Sequence, residues 1–382
     1  MDFSLPDELR AFQQTVRRFV DAELIPLERS EPRGLLPATR ERLRALTRDM
    51  GLWLLDVPQS LGGQGLSVLG QTIFWEEISR TVAILSRDSH IFGPFVGAVL
   101  IQLKGEQKER YLDPVIRGEK VACFAQTEPD AGTDPASMRT RAVRDGDHYV
   151  INGVKRFITD AEKADFAQVM ALTDPVKGAR GGVSCFLVDM NTPGVKVTAR
   201  YQTMMGDAPC EVVFQDARVP AANLIGNEGD GFRLAQEWIT LGRILRHGAR
   251  ACGVAERCLE MGASYAKQRV TFGAPLASRQ SIQWMLADTY TELQAARHLV
   301  RCAAWKFDQG EDVRSETYVA KMYSVEMGFR AADRCLQIHG GIGLTTDMPV
   351  ERFWRDQRSY LITEGAAEIM RMTVARHVLK HY

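Results

Sequence analysis

Apolar positions recur every three to four residues at both ends of the chain and every second residue in its middle. After Ser4-Leu5-Pro6-Asp7, an S-x-x-D helix start with proline near the first turn, Leu9, Phe12, Val16, Phe19 and Val20 fall on one helical face. A charged helix follows over Arg40–Met50 and stops at Gly51; further helices are expected over Val68–Ser86, Phe95–Leu103 and Gln107–Arg117. The glycine-rich run Val57–Leu66 lies between helices. No strand precedes it and no Gly-Lys-Ser/Thr follows, so it is expected to be a connecting loop rather than a phosphate cradle.

The period changes near Lys120. Val121–Ala125, Ala142–Arg144, His148–Ile151, Phe166–Leu172, Val183–Val188, Val195–Thr198 and Val212–Phe214 are short β-rich runs. Asp145-Gly146, Asn152-Gly153, Lys177-Gly178, Gly181-Gly182 and Thr192-Pro193-Gly194 punctuate them as turn signals. Strand follows strand without intervening helix, which predicts an antiparallel barrel or sandwich and excludes a doubly wound nucleotide domain. Gly229-Asp230-Gly231 lacks the rest of a dinucleotide fingerprint. Beyond it the helical period returns. Ile282, Met285, Leu286, Thr289, Leu293, Ala296, Leu299, Val300, Ala303 and Phe307 form one long stripe, and Val319, Met322, Tyr323, Phe329, Ala332 and Leu336 form the next. The pattern divides the chain into an N-terminal helical domain (1–120), a central β domain (121–228) and a C-terminal four-helix bundle (229–382).

Composition narrows the partners. Lys+Arg and Asp+Glu both number 48, so no global basic field invites nucleic acid or a membrane surface. The 7 cysteines form no CxxC or Cys/His cluster, which argues for reduced thiols and against a metal site. No apolar run approaches membrane-spanning length and no signal peptide is visible, so a cytoplasmic protein is expected.

The most suggestive chemistry lies in Leu361-Ile362-Thr363-Glu364-Gly365-Ala366-Ala367-Glu368-Ile369, at the mouth of a last helix. Small residues after Glu364 admit close approach to the backbone, and free N–H groups at a helix start favour a developing oxyanion. Two roles are open to Glu364: a base beside a polarised carbonyl, or an ordinary first-turn carboxylate favoured by the helix dipole.

Motifs elsewhere carry a resemblance. Phe124-Ala125-Gln126-Thr127-Glu128-Pro129-Asp130-Ala131-Gly132-Thr133-Asp134, Asn152-Gly153-Val154-Lys155-Arg156-Phe157-Ile158-Thr159-Asp160, Arg269-Val270-Thr271-Phe272-Gly273 with Gln280, and Gln337-Ile338-His339-Gly340-Gly341-Ile342-Gly343 resemble, in order, signatures of the acyl-CoA dehydrogenase family. The Glu364 stretch resembles that family's E-G-x-x-E-I segment. The resemblance implies FAD as cofactor, an acyl-CoA substrate, removal of the α-proton by Glu364 and passage of a β-hydride to the flavin. It places Phe124, Thr127, Gly132, Thr133, Phe157, Thr159, Arg269, Phe272, Gln280, Gln337, Gly340, Gly341, Ala366 and Glu368 on the cofactor, and Thr133, Arg243, Gly365 and Arg87 near the substrate. It further implies a homotetramer sharing flavin sites across subunits, with an electron-transfer flavoprotein as electron acceptor.

The family's second location for the base corresponds to Gly242 in Thr240-Leu241-Gly242-Arg243, so no carboxylate competes with Glu364. Arg243 matches an arginine near bound CoA, with a salt-bridged helix residue as the plain alternative. Ala366 and Thr363 depart from the usual Thr and Tyr, and Phe157 from the usual Trp. Arg87 could receive an acidic acyl terminus and Asp88 a basic one, or both could lie on a solvated face. An acyl-CoA oxidase or other flavoenzyme of the same fold, and a non-catalytic FAD- or CoA-binding scaffold, are the competing classes.

Overall fold

A computed structural model describes residues 4–84 and 90–382. The chain forms two compact units: Met1–Gln59, Gly63–Asp88 and Thr240–Tyr382 in one, Ser60–Gly62 and Ser89–Ile239 in the other. Helices and strands are distributed as the periodicity predicts, giving the expected mixed α and β fold.

The second unit is built on an eight-stranded sheet: β1 (Ala122–Ala125), β2 (Arg141–Asp145), β3 (His148–Ile158), β4 (Phe166–Leu172), β5 (Val183–Asp189), β6 (Val195–Arg200), β7 (Cys210–Pro220) and β8 (Leu224–Ile225), ordered β6-β7-β3-β2-β4-β5-β8. Its ladders are antiparallel except where β4 meets β1 and the end of β2 in parallel. The β1–β4 pair can run parallel because the β2–β3 hairpin intervenes between them in sequence. Asp145-Gly146 turns β2 into β3 as expected, with Gly146 at φ 63°. Asn152-Gly153 does not turn the chain: β3 runs through it with a shift of register against β7. Asn152 is instead bonded across to Asp216, and a Cβ at position 153 would lie 2.3 Å from Thr140 Oγ1. Tyr149, Ile151, Phe186, Val188, Val212 and Phe214 fill the core of this unit.

In the other unit, helices α1 (Asp7–Phe19), α2 (Pro37–Asp49) and α3 (Val68–Ile78) precede five more: α5 (Arg250–Gln268), α6 (Gln280–Asp308), α7 (Arg314–His339), α8 (Pro349–Tyr360) and α9 (Ala367–His381); α4 (Gly231–Gly242) enters from the sheet-bearing unit. Pro6 rather than Ser4 caps α1, without a side-chain bond. The helix expected over 68–86 ends at Ile78, where the Ser79 hydroxyl donates back to the Trp75 carbonyl. Val57–Leu66 is a connecting loop tied by its own backbone: Gln64 N–H donates to Leu54 O and Leu66 N–H to Leu55 O. The apolar stripes of α6 and α7 meet α3 and the segment after α4 in one core containing Ile244, Cys252, Leu293, Val300 and Met327. Glu76 on α3 is buried within this unit and held by Arg297 Nε at 2.5 Å.

Candidate active site

Between α4 and α5 the helix widens into a π-helical segment, Arg243–Ala249, a distortion common where side chains must be re-aimed. Arg243, Arg246 and His247 stand at i, i+3 and i+4, on one face. That face meets the loop preceding α9. Glu364 sits in this loop in the left-handed region at φ 53°, costly for a residue with a Cβ, followed by Gly365 at φ 103°. Helix α9 begins only at Ala367, so Glu364 is not a first-turn carboxylate.

Cationic side chains fix the strained loop. Lys321, 1% exposed, donates to the carbonyls of Thr363 and of Gly365, the latter at 2.6 Å. Arg243 Nε donates to the Glu364 carbonyl at 3.2 Å, its guanidinium resting 4.7 Å over the Tyr318 ring. Three consecutive carbonyls are thereby held, and the Glu364 side chain is aimed back at the π-helical face. Oε1 pairs with Arg246 Nη2 at 2.9 Å. Oε2 is buried, accepts no hydrogen bond and lies 3.4 Å from His247 Nδ1. A Cβ at Gly242 would come within 2.2 Å of Oε2, so only glycine leaves room for the carboxylate there.

The tautomer of His247 follows from its partners. Nδ1 faces the Gly242 carbonyl at 3.3 Å, which only accepts; Nδ1 therefore carries the proton and Nε2 receives the Thr363 hydroxyl at 2.9 Å. Burial pulls its pKa down to about 3, so the ring is neutral. Burial alone would raise the Glu364 carboxyl; the charges of Arg246, Lys321 and Arg243 outweigh it and hold it below the ordinary value. Burial also pulls Lys321 down to about 7.

The other predicted positions fall into two groups. In the sheet-bearing unit, Arg156 N–H donates to the Thr127 carbonyl at 2.8 Å, joining the end of β1 to β3. Phe157 follows at a bulge, with φ 60° and its ring 54% exposed beside Tyr201. Thr127 and Thr159 are half-buried; Gly132 and Thr133 are exposed, and a Cβ on Gly132 would meet nothing within 4 Å. Phe124 stacks on Trp238 at 5.1 Å. The loop bearing Gly132 and Thr133 is clamped by a buried pair: Lys155 Nζ donates to Glu128 Oε1 at 2.8 Å and to Gln126 O at 3.0 Å.

In the helical unit, Tyr265 stacks on His339 at 4.5 Å, which gathers Arg269 and Gln337–Gly341 at one end of the bundle. Arg269, Gln280, Gln337, Gly340 and Gly341 are exposed there, and Phe272, at the tip of a small hairpin, is 98% exposed. Ala366 is half-buried and Glu368 exposed. Arg87 and Asp88 lie outside the described residues. Among those described, no acidic, histidine and cysteine groups cluster as a metal site would.

Arg246, His247, Lys321 and the Lys155–Glu128 pair were not anticipated from the sequence. Three basic residues at helical spacing beside Gly242 were the available signal for the first two. The lysines had none, because their partners are distant in the chain.

The acyl-CoA dehydrogenase N-terminal, middle and C-terminal domains match residues 6–119, 123–217 and 229–379. The chain belongs to the acyl-CoA dehydrogenase family. It is 37% identical to an acryloyl-CoA reductase (NADH) of Anaerotignum propionicum, over 100% of this chain and 96% of that one. It is 36% identical to the mitochondrial short-chain specific acyl-CoA dehydrogenase of Homo sapiens, over 99% and 92%. The butyryl-CoA dehydrogenase structure from Megasphaera elsdenii superposes with a TM-score of 0.86 at 33% identity, over 99% and 100%. The FAD complex of PigA superposes at 0.89 and 26% identity, over 99% of both chains.

The family assignment, the fold and the enzyme class read from the motifs therefore stand: this is an FAD-dependent acyl-CoA dehydrogenase. The acyl-CoA oxidase alternative is not favoured. The sheet-bearing residues suit the cofactor. A half-exposed aromatic ring at Phe157, threonine hydroxyls just past the ends of β1 and β3 and open backbone at Gly132 are what a flat heterocycle and a phosphate chain require.

Proposed function

We propose that Glu364 is the base that removes the α-proton of the acyl-CoA thioester. The observation that carries this reading is the state of Oε2: buried, without a hydrogen bond, and directed over Gly242. As the α-proton leaves, negative charge grows on the thioester oxygen and needs a donor in a site shielded from water. The Glu364 N–H donates to no protein atom among the described residues and is the donor this chain offers. Lys321 and Arg243 hold the loop so that this N–H and Oε2 keep a fixed relation. FAD, when bound, supplies the acceptor for the β-hydride.

In this proposal Phe124, Thr127, Phe157, Thr159, Gly132 and Thr133 hold the flavin and its phosphates within one chain. Arg269, Phe272, Gln280, Gln337, Gly340 and Gly341 hold it from a second subunit of a homotetramer, with Ala366 and Glu368 beside it. The exposed Phe272, Trp284 and Leu344 in the helical unit support an assembly that covers them. Thr133, Gly365 and Arg243 serve the CoA thioester, Arg243 through the Glu364 backbone. An electron-transfer flavoprotein as acceptor and a cytoplasmic setting complete the proposal, as does the division at residues 120 and 228. The names of the relatives, and the bulk of Arg246 and His247 beside Glu364, favour a short acyl chain.

Glu364→Gln keeps the size and hydrogen-bonding capacity of the side chain but cannot take the proton. Anaerobic flavin bleaching should slow by roughly 10²–10⁴-fold with FAD content unchanged, and Glu368→Gln should bleach near the parent rate. Parent-rate bleaching by Glu364→Gln would remove the base from this position.

A further inference from the structure

Three cationic side chains converge on one carboxylate beside Gly242. Arg243 and Lys321 are committed to the backbone carbonyls of residues 363–365. Arg246 faces the carboxylate itself, with its side chain 20% exposed. A guanidinium at 2.9 Å is an awkward neighbour for a base that must take a carbon-bound proton. It favours the ionised form, and a half-buried cation also carries a desolvation cost.

That arrangement becomes productive if the substrate takes the guanidinium. An anionic group accepts from arginine in plane, often by two bonds, and would draw Arg246 away from Oε1. Glu364 would then lose the largest of the charge effects that hold its pKa down, which raises its basicity. An alkyl chain of equal length offers no acceptor; it would leave the ion pair in place and bury it further. At short range Arg246 Nη2 pairs with Glu364 Oε1 at 2.9 Å, while Arg243 and Lys321 bond the carbonyls of residues 363–365. Another carboxyl in the field of Arg246, among the described residues, is Asp56, whose pKa burial raises. Asp56 lines a cleft of about 440 Å³ with Pro58, Gln59, Gly65 and Leu66.

We propose that Arg246 sets specificity as the receptor for an anionic acyl group, making the preferred substrates CoA monothioesters of short dicarboxylic acids. The inference rests on Glu364 as the base, because Arg246 adjoins it. The base must reach Cα, so the carboxylate it leaves to Arg246 lies about two to four bonds farther along the chain, roughly 2.5–5 Å. Succinyl, glutaryl and adipyl groups span that range. The hydrogens lost are those of the parent reaction, one from Cα and one from Cβ, and the distal carboxylate is retained.

The test is anaerobic flavin bleaching of the holoenzyme with matched pairs: succinyl- against butyryl-CoA, glutaryl- against pentanoyl-CoA, adipyl- against hexanoyl-CoA. At least one dicarboxylic member should exceed its alkyl partner in kcat/KM by roughly ten- to a hundredfold, the worth of one charge-assisted hydrogen bond. Arg246→Leu should erase that ratio chiefly through KM, and Arg246→Lys should restore part of it. Alkyl partners winning in all three pairs, no bleaching by any of the six, or a ratio unchanged in Arg246→Leu would each overturn the proposal. If Arg246→Leu fails to hold flavin, the parent ratios decide alone. Inert Glu364→Gln with equal parent ratios leaves the base in place and removes only the specificity role. Bleaching by Glu364→Gln at the parent rate removes both.

Discussion

Each unit of the molecule buries a lysine near a carboxylate, and the two arrangements differ in what is left over. In the sheet-bearing unit Glu128 is fully occupied: Oε1 accepts from Thr140 N–H and Lys155, Oε2 from Arg139 N–H at 2.6 Å. In the helical unit Lys321 bonds only backbone carbonyls, and Glu364 keeps one oxygen without a hydrogen bond. In both, burial raises the carboxyl's pKa and the neighbouring groups more than reverse it: Lys155 and hydrogen-bond donors at Glu128, nearby cations at Glu364. The sign of the pKa therefore does not separate a structural carboxylate from a reactive one; hydrogen-bond satisfaction does. Glu128 and Lys155 form a clamp that positions the loop bearing Gly132 and Thr133. Glu364 is a group held open at the cost of a left-handed backbone.

The sharpest break of this comparison is at the clamp. Lys155→Met strands the Glu128 carboxylate in the sheet interior, and stability should fall by about 3–5 kcal/mol. Adding Glu128→Gln should recover part of the loss. Urea unfolding followed by tryptophan fluorescence measures both, and a loss below about 1 kcal/mol would mean the pair is not a clamp.

A smaller effect sharpens the reactive side. Because the Arg246 charge lowers the Glu364 pKa, removing it raises that pKa. The acid limb of kcat/KM, where activity falls as Glu364 gains a proton, should move to higher pH in Arg246→Leu. An acid limb that stays in place with pentanoyl-CoA would show that Arg246 does not govern Glu364.

Much of this was legible in the sequence, for identifiable reasons. The stripes of α6 and α7 follow from spacing alone, and the Asp145-Gly146 hairpin from turn chemistry. Asn152-Gly153 misled because the same dipeptide serves a bulge when Asn152 can bond Asp216 on the neighbouring strand. Glu364 was legible through its motif and through Gly242 at the alternative position, though not its left-handed backbone. Lys321 reads as one more residue beside Met322 and Tyr323 on a helix. Its partners lie 42 and 44 residues away, and only the folded chain brings them together.

The claim that Glu364 and position 242 face the same α-carbon can be tested by moving the carboxylate. Flavin reduction should be followed by anaerobic stopped-flow in the parent, in Glu364→Gly, and in Glu364→Gly combined with Gly242→Glu. With the fastest thioester of the panel, Glu364→Gly should lose at least the roughly 10²-fold expected for an absent general base, and the combined variant should regain part of the rate. Reduction of flavin by Glu364→Gly at the parent rate would contradict the account at its centre.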